Sequence, residues 1–264
     1  MIPAAVRTAL VLAAHGSRDE PEVNARILDF AEQIRRRNLY DEVAVAFHQG
    51  DPPFSEVLDR STADEVLVVP VMASQGYYAE VVLPRELARN QRSATISVTY
   101  TPAIGTHPSI VELVATRLRE TMLEHQFEPM STTLILVGHG TRKHAASRDS
   151  TLTARDAIAQ RGIVGDVLCA FLDDDPPVES LLERIRTPNV IVEPFLISDA
   201  EHAARDIPRR LGLVTHGGAE PPFVCRSDQQ WVICGAALGT DERILDVILA
   251  VCREATRAVP STVK

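Results

Sequence analysis

Two histidines of this chain stand in nearly the same local sequence. His15 lies in LVLAAHGSRDE (Leu10–Glu20), and His139 lies in LILVGHGTRKH (Leu134–His144). In both, an apolar run leads to His-Gly, a small hydroxyl residue and arginine. A neutral imidazole is available near pH 7, so either histidine could bind a divalent metal ion or accept a proton.

Three residues of the second half are expected at the carboxyl ends of strands. His139 follows the first apolar run, Asp173 follows the second, and His202 lies after the third. Ligands of open parallel sheets bind at these ends. Two imidazoles and one carboxylate suit Fe, Co, Ni or Zn, and the same groups could accept protons. The sequence leaves open which of these roles each residue takes.

The elements that must position these residues occur twice. A shift of 124 positions aligns AFHQGDPP (Ala46–Pro53) with AFLDDDPP (Ala170–Pro177), and PVMASQGYYAEVVLPREL (Pro70–Leu87) with PFLISDAEHAARDIPRRL (Pro194–Leu211). A later segment aligns at a shift of 134, so we expect about ten extra residues as a loop in VTHGGAEPP (Val214–Pro222). The chain is therefore interpreted as two copies of one domain, residues 1–125 and 131–264.

Each copy predicts an α/β domain of three layers, with a mainly parallel four-stranded sheet between helices. Continuous runs of Val, Leu and Ile are typical of strands covered on both faces, and segments with helical spacing separate them. For the first copy the predicted strands are 7–14, 42–47, 65–73 and 95–100, and the predicted helices are 22–37, 52–61, 83–90 and 108–124.

The first copy does not repeat the three-residue set. Gln49 occupies the position of Asp173, and Tyr78 occupies that of His202. His48 is one position out of register and is predicted to face away, because side chains alternate along a strand. We therefore predict an intact site in the second copy and a degenerate one in the first.

Composition indicates a globular protein of the cytoplasm. The 264 residues are 45% hydrophobic and 24% charged, and the formal net charge is −9. This charge disfavours general binding to nucleic acid or to an anionic membrane, and no apolar run reaches the length of a membrane span. The four cysteines form neither a CxxC motif nor a dense disulfide framework.

The motifs resemble the sirohydrochlorin chelatases, class II enzymes that insert metal into tetrapyrroles for sirohaem and cobalamin synthesis. The segment PFLISDAEHAARDIP (Pro194–Pro208) carries the most specific part of the resemblance, which covers nearly the whole chain. It implies two similar α/β domains facing across a cleft that holds the tetrapyrrole. It also assigns metal binding and proton acceptance to His139 and His202, with Asp173 as the carboxylate where the family often has Glu.

The implied function is a metal chelatase of the lyase class. Its substrates would be a divalent metal, Fe²⁺ or Co²⁺ with Ni²⁺ as a further candidate, and sirohydrochlorin or a related tetrapyrrole. No organic cofactor is expected, and a fused pseudo-dimer could act as a monomer. Because the macrocycle bears carboxylates, basic residues are expected near it. The candidate substrate contacts are Arg18, Arg142, Arg205, Tyr78 and His15.

Two other functions remain open from the residues. The chain could be a non-catalytic carrier of metal or tetrapyrrole, in which the altered first half reflects lost chemistry. It could also be a different α/β enzyme whose His-Gly-Ser/Thr-Arg segments hold phosphate. A single glycine after each histidine gives little support to phosphate binding.

Overall fold

The computed structural model describes residues 6–18, 21–141, 144–197, 206–213, 221–226 and 230–258. The chain divides into two compact units, an α/β fold in each. Unit 1 comprises residues 1–107 with 245–264, and unit 2 comprises residues 108–244. None of the helices within the described ranges is both long and apolar enough to cross a membrane.

Unit 1 contains a parallel sheet of four strands, as predicted. Its order is β2-β1-β3-β4, and every neighbouring pair is parallel. The central strand β1 is almost fully buried, which explains its continuous apolar sequence, since helices and loops cover both faces. The strands are β1 (Thr8–Ala14), β2 (Glu42–Phe47), β3 (Glu65–Pro70) and β4 (Ser97–Tyr100).

Unit 2 contains one strand more than predicted. Its sheet has the order β6-β5-β7-β9-β8, and β8 pairs antiparallel with β9 at the edge. The extra strand directly follows the segment predicted as an inserted loop. The strands are β5 (Thr132–Gly138), β6 (Asp166–Phe171), β7 (Asn189–Pro194), β8 (Phe223–Arg226) and β9 (Trp231–Cys234).

The helices of the first copy lie where periodicity predicts them, with one exception. The helices of both copies are α1 (Pro21–Arg35), α2 (Leu83–Leu87), α3 (Pro108–His125), α4 (Ala145–Ala159), α5 (Ile207–Arg210) and α6 (Ile244–Ala258). The predicted helix 52–61 is wrong, because this segment forms successive turns.

The side chain of Asn90 accounts for those turns. In a helix the Leu58 N–H would donate to the Phe54 carbonyl. Instead, the Leu58 N–H donates to Asn90 Oδ1 at 2.9 Å, and Asn90 Nδ2 donates to the Phe54 carbonyl at 3.0 Å. The buried Asn90 carboxamide thus lies between the Leu58 N–H and the Phe54 carbonyl, which a helix would join directly, and it makes a hydrogen bond with each.

The compact units and the sequence copies have different boundaries. Helix α6, which ends the second copy, belongs to unit 1 from residue 245 onward, whereas helix α3, which ends the first copy, belongs to unit 2. The predicted division at 125 and 131 follows the sequence repeat. The units differ from it because each contains the last helix of the other copy.

Charged side chains around the buried Glu193 hold α3 within unit 2. Arg117 Nε lies 2.5 Å from Glu193 Oε1 on β7, and its terminal nitrogens contact Asp241 Oδ2 at 3.3 Å and the Ala236 carbonyl at 2.6 Å. Arg243 joins the network through Asp241 and Glu120. Burial raises the pKa of Glu193 to about 7, although the adjacent Arg117 acts to lower it.

Candidate functional site

His139 and Asp173 lie side by side at the carboxyl ends of β5 and β6. Beyond the last paired strand residues, the Asp173 N–H donates to the His139 carbonyl at 2.9 Å. This backbone bond extends the parallel pairing and presents both side chains on one edge of the sheet. His139 Nδ1 lies 3.5 Å from Asp173 Oδ2. The structure therefore brings together two of the three predicted residues.

The backbone after His139 fixes the protonation of its ring. Nδ1 lies 2.9 Å from the carbonyl oxygen of Gly140. Because a carbonyl oxygen only accepts hydrogen bonds, Nδ1 carries the proton in the neutral ring and Nε2 keeps a lone pair. This is the arrangement found in metal-binding histidines, whose second nitrogen donates to a carbonyl or carboxylate. Nε2 is thus the atom able to bind a metal ion or take up a proton.

Asp173 faces the Nδ1 side of the ring and is well exposed. Its side chain retains 59% of its accessible surface, against 38% for His139. The neighbouring loop is held by Arg148, which donates to the Asp175 carbonyl at 2.5 Å and lies over the Phe171 ring. The carboxylate therefore lies beside the protonated nitrogen of the imidazole.

Several predicted site residues lie outside the described residues: His202, Arg142 and Arg205, together with the neighbouring Lys143. Within the described ranges, no group of three His, Cys, Asp or Glu side chains is arranged to hold a metal ion. The structure thus gives the positions of His139 and Asp173 but does not describe the predicted third ligand.

Unit 1 repeats the backbone arrangement around His15. The Gln49 N–H donates to the His15 carbonyl at 2.7 Å, and His15 Nδ1 lies 3.0 Å from the Gly16 carbonyl oxygen. Gly16 and Gly140 share a positive φ of +69° and +70°. His15 therefore has the same tautomer as His139, although the exposed Gln49 replaces the carboxylate.

The side chains beside His15 form an aromatic cluster. Its ring centroid lies 5.3 Å from that of His48 and 4.6 Å from that of Tyr78, and the His48 and Tyr78 centroids are 4.9 Å apart. The prediction that His48 faces away is wrong. Strand β2 ends at Phe47, so strict alternation of side chains does not extend to the next residue. The position of His48 immediately after the strand was the available signal.

Burial favours the neutral form of the His48 imidazole. Its pKa is lowered first by burial, then by the neighbouring His15 and by the charges of Arg18 and Arg85, while Glu86 acts in the opposite direction. Arg18 itself is exposed. Of the predicted substrate contacts, the structure therefore groups His15 and Tyr78, with the charge of Arg18 acting on the same cluster.

Comparison with known proteins assigns the family. The sequence model of the CbiX family matches residues 9–121 and again 133–255. A probable sirohydrochlorin cobaltochelatase of Halobacterium salinarum is 30% identical over 261 residues, covering 91% of this chain and 89% of that protein.

Solved structures have the same fold. DR2241 of Deinococcus radiodurans, described as similar to chelatases with two additional domains, has a TM-score of 0.72 at 26% identity. The match covers 93% of this chain, which spans 55% of that protein. SirB of Bacillus subtilis with Fe³⁺ has a TM-score of 0.71 at 16% identity, covering 94% and 95% of the two chains. With the family match in both halves, these findings show that the chain belongs to the CbiX family.

Proposed function

We propose that this protein is a chelatase that inserts Fe²⁺ or Co²⁺ into sirohydrochlorin, and that the second unit carries out the insertion. The observation that carries the proposal is the His139 ring, whose Nε2 lone pair is fixed at a strand end within a segment matched by the CbiX family. The name of the Halobacterium relative, a probable sirohydrochlorin cobaltochelatase, supports the substrate.

Metal insertion makes two demands on the protein. Two pyrrole N–H protons must leave the macrocycle, and the metal ion must exchange its water ligands for ring nitrogens. His139 Nε2 can meet either demand, as a metal ligand that leaves other positions open or as a proton acceptor. We assign the partner role to His202, because the matching motif places a second histidine there.

Asp173 is proposed to act on His139 rather than on the metal. Its carboxylate lies on the Nδ1 side of the ring, 3.5 Å away, while Nε2 is the nitrogen with the lone pair. When Nε2 binds a cation or takes up a proton, the ring becomes more positive. A carboxylate at that distance stabilises this charge and holds the ring orientation.

The macrocycle's carboxylates call for cationic partners. Arg142 and Arg205 flank the two proposed catalytic histidines in sequence, and Arg18 follows His15 at the position equivalent to Arg142. We propose these arginines as carboxylate contacts, since guanidinium groups bind carboxylates through two parallel hydrogen bonds. Because a macrocycle rich in carboxylates is water-soluble, a reaction in the cytoplasm fits this chemistry.

The test is anaerobic incubation of the protein with sirohydrochlorin and Co²⁺ or Fe²⁺, with insertion followed by absorbance. We expect His139→Ala and His202→Ala each to lower the insertion rate by about 100-fold or more, the usual contribution of a positioned proton-transfer group. His125→Gln, at the end of α3, is the matched control and should retain the wild-type rate.

Two results would contradict the proposal. Tight binding of the macrocycle with no insertion above the uncatalysed rate would indicate a carrier. A wild-type rate in His139→Ala would remove the second unit's histidine from the reaction.

A further inference from the structure

Unit 1 has an open groove at the place where unit 2 has its arginine network. The groove has a volume of about 560 Å³ and lies between the edge strand β4, the segment that follows it and helix α6, all within unit 1. We propose that this groove binds a small organic cation, with a guanidinium or amine group beside Glu254 and an apolar body along α6. This inference goes beyond the proposed function, because none of the residues that line the groove takes part in the proposed insertion.

The size and walls of the groove suit a small molecule. Ligand sites usually measure about 300–1,000 Å³ and combine apolar walls with a few polar groups. Pro102, Val251 and Ala255 form apolar walls here, and the ring of the part-exposed Tyr100 lines the same space. Burial raises the pKa of the Tyr100 hydroxyl, so the ring stays neutral, and the face of a tyrosine ring attracts cations.

In unit 2 a guanidinium group fills the corresponding place. Arg117 of α3 donates to the Ala236 carbonyl at 2.6 Å, and a Cβ at Gly235 would lie 3.3 Å from a terminal nitrogen of the same side chain. The repeat aligns Arg117 with Val251 and Gly235 with Thr101, and both Val251 and Thr101 line the groove. The fold thus accommodates a guanidinium group at this place, and the shorter valine of unit 1 leaves the space open.

Unit 1 keeps an acidic group at this place without the arginines. The repeat aligns Glu254 with Glu120, whose carboxylate pairs with Arg243, and it aligns Arg243 with Ser109. In unit 1, Glu254 Oε1 lies 3.1 Å from His107 Nε2 instead. A carboxylate accepts several hydrogen bonds, so Glu254 can bind a donor group of a ligand while it contacts this histidine.

Two threonines of the groove also offer acceptors. Thr101 Oγ1 donates to the Pro102 carbonyl at 2.9 Å, and Thr106 Oγ1 donates to the Ala103 carbonyl at 2.8 Å. A hydroxyl has a single proton, so lone pairs are what these two oxygens can still offer. Together with the carboxylate of Glu254, they favour a group that only donates hydrogen bonds, as guanidinium and ammonium groups do.

The test uses butylguanidinium as the probe and butylurea as its neutral counterpart of nearly the same shape. Titration calorimetry of the full chain at pH 8, without metal or tetrapyrrole, measures the binding. We expect one equivalent of butylguanidinium to bind, at least tenfold more tightly than butylurea. Because the groove exists only in the folded chain, butylguanidinium should also raise the unfolding temperature.

Two substitutions locate the site. Val251→Arg introduces the side chain that fills the equivalent place in unit 2 and should abolish binding of the probe. Val251→Met, which also fills the groove, serves if the arginine variant does not fold. Glu254→Gln removes the carboxylate and should weaken binding at least tenfold, whereas Glu124→Gln, an exposed carboxylate on α3, is the matched control and should bind as the wild type does.

Three results would overturn the proposal. The first is no binding of butylguanidinium at millimolar concentration. The second is wild-type affinity in a folded Glu254→Gln or Val251→Arg variant, because the probe would then bind elsewhere. The third is equal affinity for butylurea, because the groove would then recognise shape without charge. Metal insertion by the protein in the absence of the probe tests the proposed chelatase function separately.

Discussion

The two units keep the same backbone at their first strand ends and differ in the side chains that it presents. Both have a histidine whose Nδ1 donates to the carbonyl of a glycine with positive φ, and both extend the strand pairing by one residue. The second unit adds Asp173 beside its histidine, whereas the first adds His48 and Tyr78. The duplicated fold thus fixes where a group is presented, and single substitutions decide which chemistry it can perform.

The units also differ in how each holds its exchanged helix. In unit 2 the half-buried Arg117 of α3 contacts Glu193 and Asp241. The repeat aligns Arg117 with Val251, Glu193 with Val69, and Asp241 with His107. Both valines are buried. One copy therefore has an Arg–Glu pair where the other has two buried valines.

The largest expected effect comes from removing the charge of Arg117. Arg117→Met leaves the buried Glu193 without this partner, and we expect a loss of about 3–5 kcal/mol in the free energy of unfolding. Val251→Ala, at the corresponding position of unit 1, should cost about 2 kcal/mol through lost packing. Urea unfolding at pH 8 measures both. Equal losses would mean that the two anchoring modes are energetically equivalent.

A pH series sharpens the same comparison. The Glu193 pKa rises from its ordinary 4.5 to about 7 in the folded state, so the folded protein holds this proton more tightly. The contribution of Glu193 to stability should therefore fall by about 3 kcal/mol as pH rises from about 4.5 through 7. Glu193→Gln should lack this decline in urea unfolding between pH 5 and pH 8. Parallel profiles for the two proteins would contradict the prediction.

The shared backbone of the two sites predicts equal effects in both units. In Gly16→Ala the new Cβ would lie 2.7 Å from the Gln49 carbonyl oxygen, and in Gly140→Ala it would lie 2.8 Å from Asp174 Cβ. Both positions have a positive φ that residues with a side chain rarely adopt. We expect each variant to lose about 2 kcal/mol in unfolding free energy. A loss confined to one variant would show that the two strand ends are not held alike.

The smallest expected effect concerns the carboxylate that only unit 2 retains. Asp173→Gln introduces the residue found at position 49 and should lower the insertion rate about tenfold. This is the usual effect of removing a group that orients a metal-binding histidine. Glu124→Gln, an exposed carboxylate on α3, is the control. An unchanged rate would mean that Asp173 does not act on His139.

The sequence allowed the strands and the strand-end residues to be predicted, because both follow local rules. Buried parallel strands are continuous apolar runs, and their carboxyl ends meet at one edge, so the proximity of His139 and Asp173 was predictable. The orientation of the His48 side chain was not predictable, because it depends on the residue at which β2 ends. The turns at 52–61 depend on Asn90, more than 30 positions away, and no local pattern includes it.

The exchange of helices was also beyond sequence pattern. Helices α3 and α6 have similar positions in the repeat, and an apolar face does not specify which of two similar sheets it covers. Contacts such as that of Arg117 with Glu193 make this choice, and they become visible only when the chain is folded.

The helix exchange has a consequence for synthesis on the ribosome. Unit 1 receives α6 only after the whole of unit 2, about 140 residues, has been translated. At a translation rate of roughly 5–20 residues per second, the sheet of unit 1 remains without α6 for about 7–28 s. During that interval the nascent chain exposes apolar surface that the finished protein buries. Chaperone dependence should therefore be greatest while unit 2 is being translated.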